Sequence, residues 1–293
     1  MGEPIQNKKY IDLQKIIAKS NAKVLKKLPG FVVLLLKKLI RQNEINQFLN
    51  KYSENMGVDF LVNMKRELNI SIEVDGIENL PENGKCIFAA NHPFGVADGL
   101  ALTYTVSQKY GSLKAIANDA FMFVPQMHPL VAAVNVFGRS SREYIQALDE
   151  VYNSESPITH FPAGRVSRKY HGKVQDQEWQ KSFITKSVSS QRAIVPFYFH
   201  GKNSRLFYFV FSLRQKLGIK LNIELALLPH ELFNKRNSTI KISIGKPIPY
   251  STFDKRFSHH EWAQLVRAHV YRLGEKGTNT DFAPEIENAQ NVK

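Results

Sequence analysis

Cysteine is nearly missing from this chain: Cys86 is the only one in 293 residues. A single thiol makes no internal disulfide and no cysteine-based zinc site, so a reducing, cytosolic compartment is the natural reading. Long apolar runs are missing too. The stretch FVVLLL falls far short of the ~20 residues that cross a bilayer. The start, MGEPIQ, leads into no apolar segment, and Gln6 stands where a myristoylation signal carries Ser or Thr, so it reads as neither cleaved nor lipidated. No G-x-S-x-G elbow offers a serine nucleophile, and no helix-turn-helix, RNP or zinc-finger pattern points to nucleic acid. Acidic residues are scarce, with 26 Asp and Glu against 40 Lys and Arg, a net charge of +14.

What is present suffices for a folded globular protein. At 43% hydrophobic content the chain can fill one large α/β core with helical additions. The basic excess is concentrated at the front, where residues 1–66 hold 13 basic and 5 acidic residues. There KKYIDLQKIIAKSNAKVLKKL spaces Leu13, Ile16, Ile17, Val24, Leu25 and Leu28 at roughly helical intervals. Pro29-Gly30 breaks the pattern, and FVVLLLKKLIRQNEINQFLNKY resumes as a second helix. Such a basic amphipathic pair can pack on a larger domain, lie on an anionic membrane or attract nucleic acid.

From about residue 67 short β-rich segments alternate with helices. Strands are expected at NISIEVD, KCIFAAN, LKAIAND, VAAVNVFG, SPITHFPAG, AIVPFYFHG, RLFYFVFSL, LNIELALL and STIKISIGKPI. Helices are expected at ADGLALTYTVSQKY, SREYIQALDEVYN, around WQKSFITKSVSSQ and at HHEWAQLVRAHVYRLGEK. The alternation predicts an α/β fold with a mixed, largely parallel sheet flanked by helices. Three regions follow: a basic amphipathic helical region at 1–66, an α/β domain at 67–276 and a mobile polar tail at 277–293.

The segment AANHPFGVADGLAL carries chemistry. KCIFAA reads as a central buried strand, and Asn91-His92 falls at its carboxyl end, where ligands bind in open α/β sheets. Pro93 disfavours helical backbone at His92, so His92 and Asp98 can meet only across a turn that Gly95 eases. Asp98 then either caps the following helix or faces His92 and fixes its tautomer, which makes the other ring nitrogen a base. His128, His160, His171 and His200 stand alone and read as loop or core histidines, and His259-His260-Glu261 lacks zinc-site spacing. The aromatic run LFYFVFSL reads as core, with the lining of an apolar pocket as the sharper alternative.

Three later stretches join the first in a fixed order: VNVFGRSSRE with Arg139 and Arg142, THFPAGRVSR with Phe161, Pro162, Gly164, Arg165 and Arg168, and AIVPFYFHG. With Asn91, His92 and Asp98 they resemble the four blocks of the glycerolipid, or lysophospholipid, acyltransferase superfamily. The stretches IEVDGIENLPENGKCIFAANHPFG and SIGKPIPY look like its hemolysin-like bacterial branch, and the resemblance spans roughly residues 44–274.

The resemblance implies transfer of a fatty acyl group from an acyl thioester, on acyl carrier protein or coenzyme A, to the hydroxyl of a lysolipid at the inner face of the cytoplasmic membrane. No metal or further cofactor is implied, and no nucleic acid. By the same resemblance His92 is the base, Asp98 orients it, and Arg139 with the loop from Phe161 to Arg168 holds the polar part of the acceptor. Two departures stand out. Five residues separate His92 from Asp98 where the family has four, and Ala163 replaces the usual glutamate after Phe-Pro. The second counts against lysophosphatidic acid and leaves two acceptor classes open, a lysophospholipid or an N-acyl amino acid lipid. The alternative is a non-catalytic membrane- or nucleic-acid-binding protein on the same fold.

Overall fold

The computed structural model describes residues 8–19, 26, 29–118, 121, 124–134, 142–170, 172–218 and 222–284. Among the described residues the chain begins with the helices α1 (Leu13–Lys19), α2 (Gly30–Leu39), α3 (Gln42–Lys51) and α4 (Val58–Glu67). Then follow β1 (Ser71–Asp75), β2 (Cys86–Ala90), α5 (Val96–Tyr110), β3 (Lys114–Asn118), β4 (Val131–Val134), α6 (Arg142–Asn153) and β5 (Ile158–His160). A short hairpin of β6 (Arg168–Tyr170) and β7 (Lys173–Gln175) precedes α7 (Ser182–Ser190) and β8 (Ala193–His200). The chain closes with α8 (Arg205–Lys216), α9 (Leu228–Phe233), β9 (Thr239–Ile244) and α10 (His259–Lys276).

The sheet is ordered β1-β9-β8-β2-β5-β3-β4. Its pairs are parallel except β8 with β9, so the expected mixed, largely parallel sheet is what forms. All five residues of β2 are buried because it lies in the middle and is covered on both faces. Its side chains alternate between two cores. Phe88 and Ala90 join the cluster that holds Phe60, Leu61 and Leu102, whereas Ile87 and Ala89 join Trp179, Phe183 and Trp262. Edge strand β1 alternates exposed and half-buried residues, with Glu73 outward, which suits a strand with one open side.

The front of the chain differs from the expected pair of helices. The stretch read as one helix after Pro29-Gly30 is two, broken at Arg41, whose φ is 52°. The break lets α3 turn inward, so that Leu49 joins the sheet's own core together with Phe60 and Leu61 of α4. Within 1–66, therefore, α3 and α4 pack as part of the α/β body. Residues 8–13 lie as an extended strap along α3, bound by side-chain amides spaced one turn apart. Asn50 pairs with both backbone groups of Lys8 (3.0 and 2.8 Å), Asn46 with both of Ile11 (2.9 and 2.8 Å), and Gln42 accepts from Leu13 N (2.9 Å). Helix α2 has no buried residue. Of the tail, residues 277–284 are described, and Thr278 is buried against the body.

Two expected strands are not strands. RLFYFVFSL forms α8, capped by Ser204 Oγ, which accepts from Phe207 N at 3.3 Å. An unbroken aromatic run carries no period, so tertiary packing decided between helix and strand. LNIELALL forms a 3-10 turn over Ile223–Leu227 leading into α9, where Pro229 fits the first turn of a helix.

Candidate active site

The site forms where β2, β5 and β8 end side by side. Asn91 continues the ladder with its side chain: Phe199 N donates to its Oδ1 at 2.7 Å, and its Nδ2 donates to Phe199 O at 3.1 Å. This amide therefore fixes the strand end and leaves the next residue, His92, to face the mouth of the sheet.

The chain then turns through Pro93, Phe94 and Gly95 into α5. Gly95 has φ 85°, and a Cβ there would fall 2.7 Å from the Leu228 side chain, so both conformation and space demand glycine. Asp98 is the third residue of α5 and fully buried. Its Oδ2 accepts from Phe94 N (2.8 Å) and Gly95 N (3.2 Å), while its Oδ1 lies 2.9 Å from His92 Nδ1. The two roles weighed for Asp98 are thus not exclusive. One oxygen closes the helix N-terminus, and the other orients the imidazole. Because a turn makes the link, it tolerates the additional residue between His92 and Asp98.

With Nδ1 committed to Asp98, Nε2 is the nitrogen that a substrate hydroxyl can reach, and the side chain is 17% exposed. Phe161, first residue after β5, stacks on the imidazole with ring centroids 4.0 Å apart and planes at 24°. That contact follows from the register, because Ala89 of β2 lies opposite His160 of β5.

A second set of contacts grips the backbone of His92. Its N–H donates to Asp176 Oδ1 (3.2 Å), and its carbonyl accepts from Ser167 N (2.7 Å). Asp176 also accepts from Ser167 Oγ (2.5 Å) and Trp179 Nε1 (2.9 Å), and burial raises the pKa of its carboxyl. Arg267 donates to its carbonyl at 2.5 Å. Sequence reasoning missed Asp176, Ser167 and Trp179, since an acid 84 positions from His92 in no recognisable spacing carries no signal.

The loop Phe161–Arg168 crosses next to this pair. Pro162 O accepts from Gln180 N (2.9 Å), Ala163 is buried beside Trp179, and Gly164 turns the chain. Arg165 is exposed and lines a small cleft of about 60 Å³ with Gln177, Tyr170, Phe211 and Arg214. Arg168 forms part of the same wall, but its guanidinium is engaged within the protein. Nε and Nη2 donate to Glu224 Oε1 at 3.2 and 3.1 Å, Nη1 donates to Val166 O at 2.5 Å, and Phe207 packs on the plane. Glu224 also binds Arg214 Nε at 2.9 Å, so this buried triad holds two cations and one anion. Arg168, expected at the acceptor, thus lines the cleft with its guanidinium bound to Glu224 and to the loop that carries Arg165. Arg139 and His171 lie outside the described residues, as does the side chain of Arg142.

Of the remaining histidines, His200 pairs with Ser243 Oγ (2.8 Å) and His259 with Thr185 Oγ1 (2.9 Å). His160 is driven down to about pKa 4 by burial. Lys235 sits half-buried with Nζ 3.9 Å from the Phe94 ring centroid, and desolvation lowers its pKa. Among the described residues no group of three or more His, Cys, Asp or Glu could hold a metal ion.

Comparison with known proteins places the chain in a family. The family model described as Acyltransferase matches residues 15–278. A lyso-glycine lipid O-acyltransferase of Phocaeicola vulgatus is 41% identical over 264 residues, covering 90% of this chain and 95% of the relative. One of the same description from Bacteroides thetaiotaomicron is 40% identical over 264 residues, covering 90% and 97%. The solved structure of the 1-acyl-sn-glycerophosphate acyltransferase PlsC from Thermotoga maritima is similar with a TM-score of 0.44 and 16% identity, covering 83% of this chain and 96% of that one. The non-catalytic alternative does not survive the match to O-acyltransferases along nearly the whole length. The chain belongs to the acyltransferase family and is an enzyme of acyl transfer.

Proposed function

We propose that this protein moves a fatty acyl group from a thioester, on acyl carrier protein or coenzyme A, to the hydroxyl of a lysolipid with an amino acid headgroup. The observation that carries the chemistry is the 2.9 Å approach of Asp98 Oδ1 to His92 Nδ1 beyond the end of β2. His92 Nε2 takes the proton of the acceptor hydroxyl as its oxygen attacks the thioester carbonyl. The C–O bond forms, the C–S bond breaks, and the imidazolium returns the proton to the departing thiolate. Asp98 stabilises the imidazolium in between. These steps balance without a nucleophilic side chain, a metal or a further cofactor.

The acceptor class is supported by Arg165 at the rim of the cleft, where a guanidinium can take a carboxylate in forked geometry, and by the name the two relatives share. Ala163 in place of an acid removes a negative charge from the same loop. The acceptor carries a long chain, so the protein works as a peripheral enzyme on the inner face of the cytoplasmic membrane. Helix α2 supports this, exposing Phe31, Leu34 and Leu35 and ending in Lys37 and Lys38. No described helix is long and apolar enough to cross a membrane.

Purified protein supplied with acyl-acyl carrier protein or acyl-coenzyme A should acylate lyso-glycine lipid faster than lysophosphatidic acid in mixed micelles, with His92→Ala as control. Preference for lysophosphatidic acid would overturn the acceptor, and full activity of the variant would overturn the mechanism.

A further inference from the structure

Helix α8, misread from sequence as a buried strand, has two unlike faces. Phe207, Tyr208 and Phe211 are buried, and the inner face reaches the loop that carries Arg165: Phe207 packs on Arg168, and Phe211 lines the cleft beside Arg165. The outer face is apolar and open to solvent. Leu206 (42% exposed), Phe209 (63%) and Leu213 (43%), with Leu217 (64%) just beyond the end, recur every three or four residues and form a single stripe.

The stripe continues onto neighbouring elements. The 3-10 turn that packs on α8 exposes Ile223, and α2, which touches that turn, exposes Phe31, Leu34 and Leu35. Seven of the twelve exposed large hydrophobic residues among those described lie on these three segments, and Leu217 directly follows α8. Neither helix contains an acidic residue. Arg205 and Lys216 stand at the two ends of α8, and Lys37 and Lys38 at the end of α2. An apolar surface built on two helices without acidic residues and bounded by cations suits the boundary between acyl chains and anionic headgroups.

We propose that α8 is a second membrane-inserting element, its outer stripe entering an anionic bilayer beside α2. The inner face of the same helix then holds the cleft at Arg165 against the headgroup layer, and the acceptor can present its hydroxyl without leaving the bilayer. This inference rests on the membrane-surface reading above and adds to it the element that docks the site.

The test compares the full chain with Phe209→Asp/Leu213→Asp by sedimentation with vesicles of phosphatidylcholine, with and without phosphatidylglycerol. Both positions are exposed, and circular dichroism and thermal melting verify the fold. Wild type should pellet with the anionic vesicles far more than with the neutral ones, and the double variant should partition about tenfold or more weaker. Phe209→Ser serves as a milder second variant with an intermediate loss. Undiminished pelleting of both variants would overturn the inference, as would a wild-type dimer in gel filtration that the substitutions dissociate while vesicle binding is kept. Acyl transfer in detergent micelles is measured in parallel. Both variants should retain it, and its absence in wild type would sink the proposed reaction without touching the vesicle result.

Discussion

Asp176 accepts the backbone N–H of His92 at 3.2 Å, so the residue proposed as the base is held by two acidic side chains, one on its ring and one on its main chain. Asp98 orients the imidazole. Asp176, through Ser167 and Trp179, ties the turn after β2 to the loop after β5.

His92→Ala should lower acyl transfer by about 10²-fold or more, the usual contribution of a positioned acid–base group. Asp98→Asn should show a loss of similar order, since its ring-orienting oxygen is altered. Asp98→Ala should also destabilise the fold by about 1–3 kcal/mol, because Phe94 N and Gly95 N lose their buried acceptor. Initial rates and urea denaturation separate the two effects.

Arg165 and Arg168 should respond differently although they are near neighbours. Arg165→Ala should raise the KM for the acceptor while leaving the KM for the thioester and the melting temperature nearly unchanged, as expected of an exposed residue at a cleft. Arg168→Ala should destabilise by about 3–5 kcal/mol, since it leaves Glu224 buried beside fewer cations. A loss of stability at Arg165 equal to that at Arg168 would contradict this division.

Asp176→Asn should weaken the grip on His92. Its amide nitrogen would face Trp179 Nε1 or the donors from His92 and Ser167, with a cost of about 1–3 kcal/mol. The pH dependence has a definite sign. Burial raises the folded pKa above the ordinary 3.8, so the folded state binds the proton more tightly. The stability this gives is fully present below pH 3.8 and is lost as pH rises through the folded pKa. The stability gap between wild type and Asp176→Asn should therefore be widest in acid, as urea midpoints across pH would show.

His269 titrates in the opposite sense. It is fully buried, and desolvation pushes its pKa from 6.5 to about 4. The unfolded chain takes up a proton below pH 6.5 that the folded protein refuses, so stability is complete above 6.5 and falls as pH drops toward 4. His269→Leu should flatten this acid limb. An unchanged slope would mean that other groups govern acid unfolding.

Asn46→Ala/Asn50→Ala should release the strap at residues 8–13, because two backbone segments would lose four hydrogen bonds. Limited proteolysis should cut the variant within this strap sooner than wild type, with little change at the body of the protein.

The sequence by itself determined most of the body and the heart of the site. Central strand β2 was legible because burial on both faces demands an unbroken apolar run, and HHEWAQLVRAHVYRLGEK was legible as the last helix, α10. The His92–Asp98 pair could be read as well, because proline and glycine between them leave a turn as the only route by which they meet. Only the tertiary structure decided the rest. It turned the aromatic run at 205–216 into a helix, since a run without period has no preferred face until neighbours supply one. It drew α3 into the core by breaking the chain at Arg41, engaged Arg168 with Glu224 far along the sequence, and brought Asp176 beneath His92. Each of those outcomes depends on partners distant along the chain, and local spacing carries no record of them.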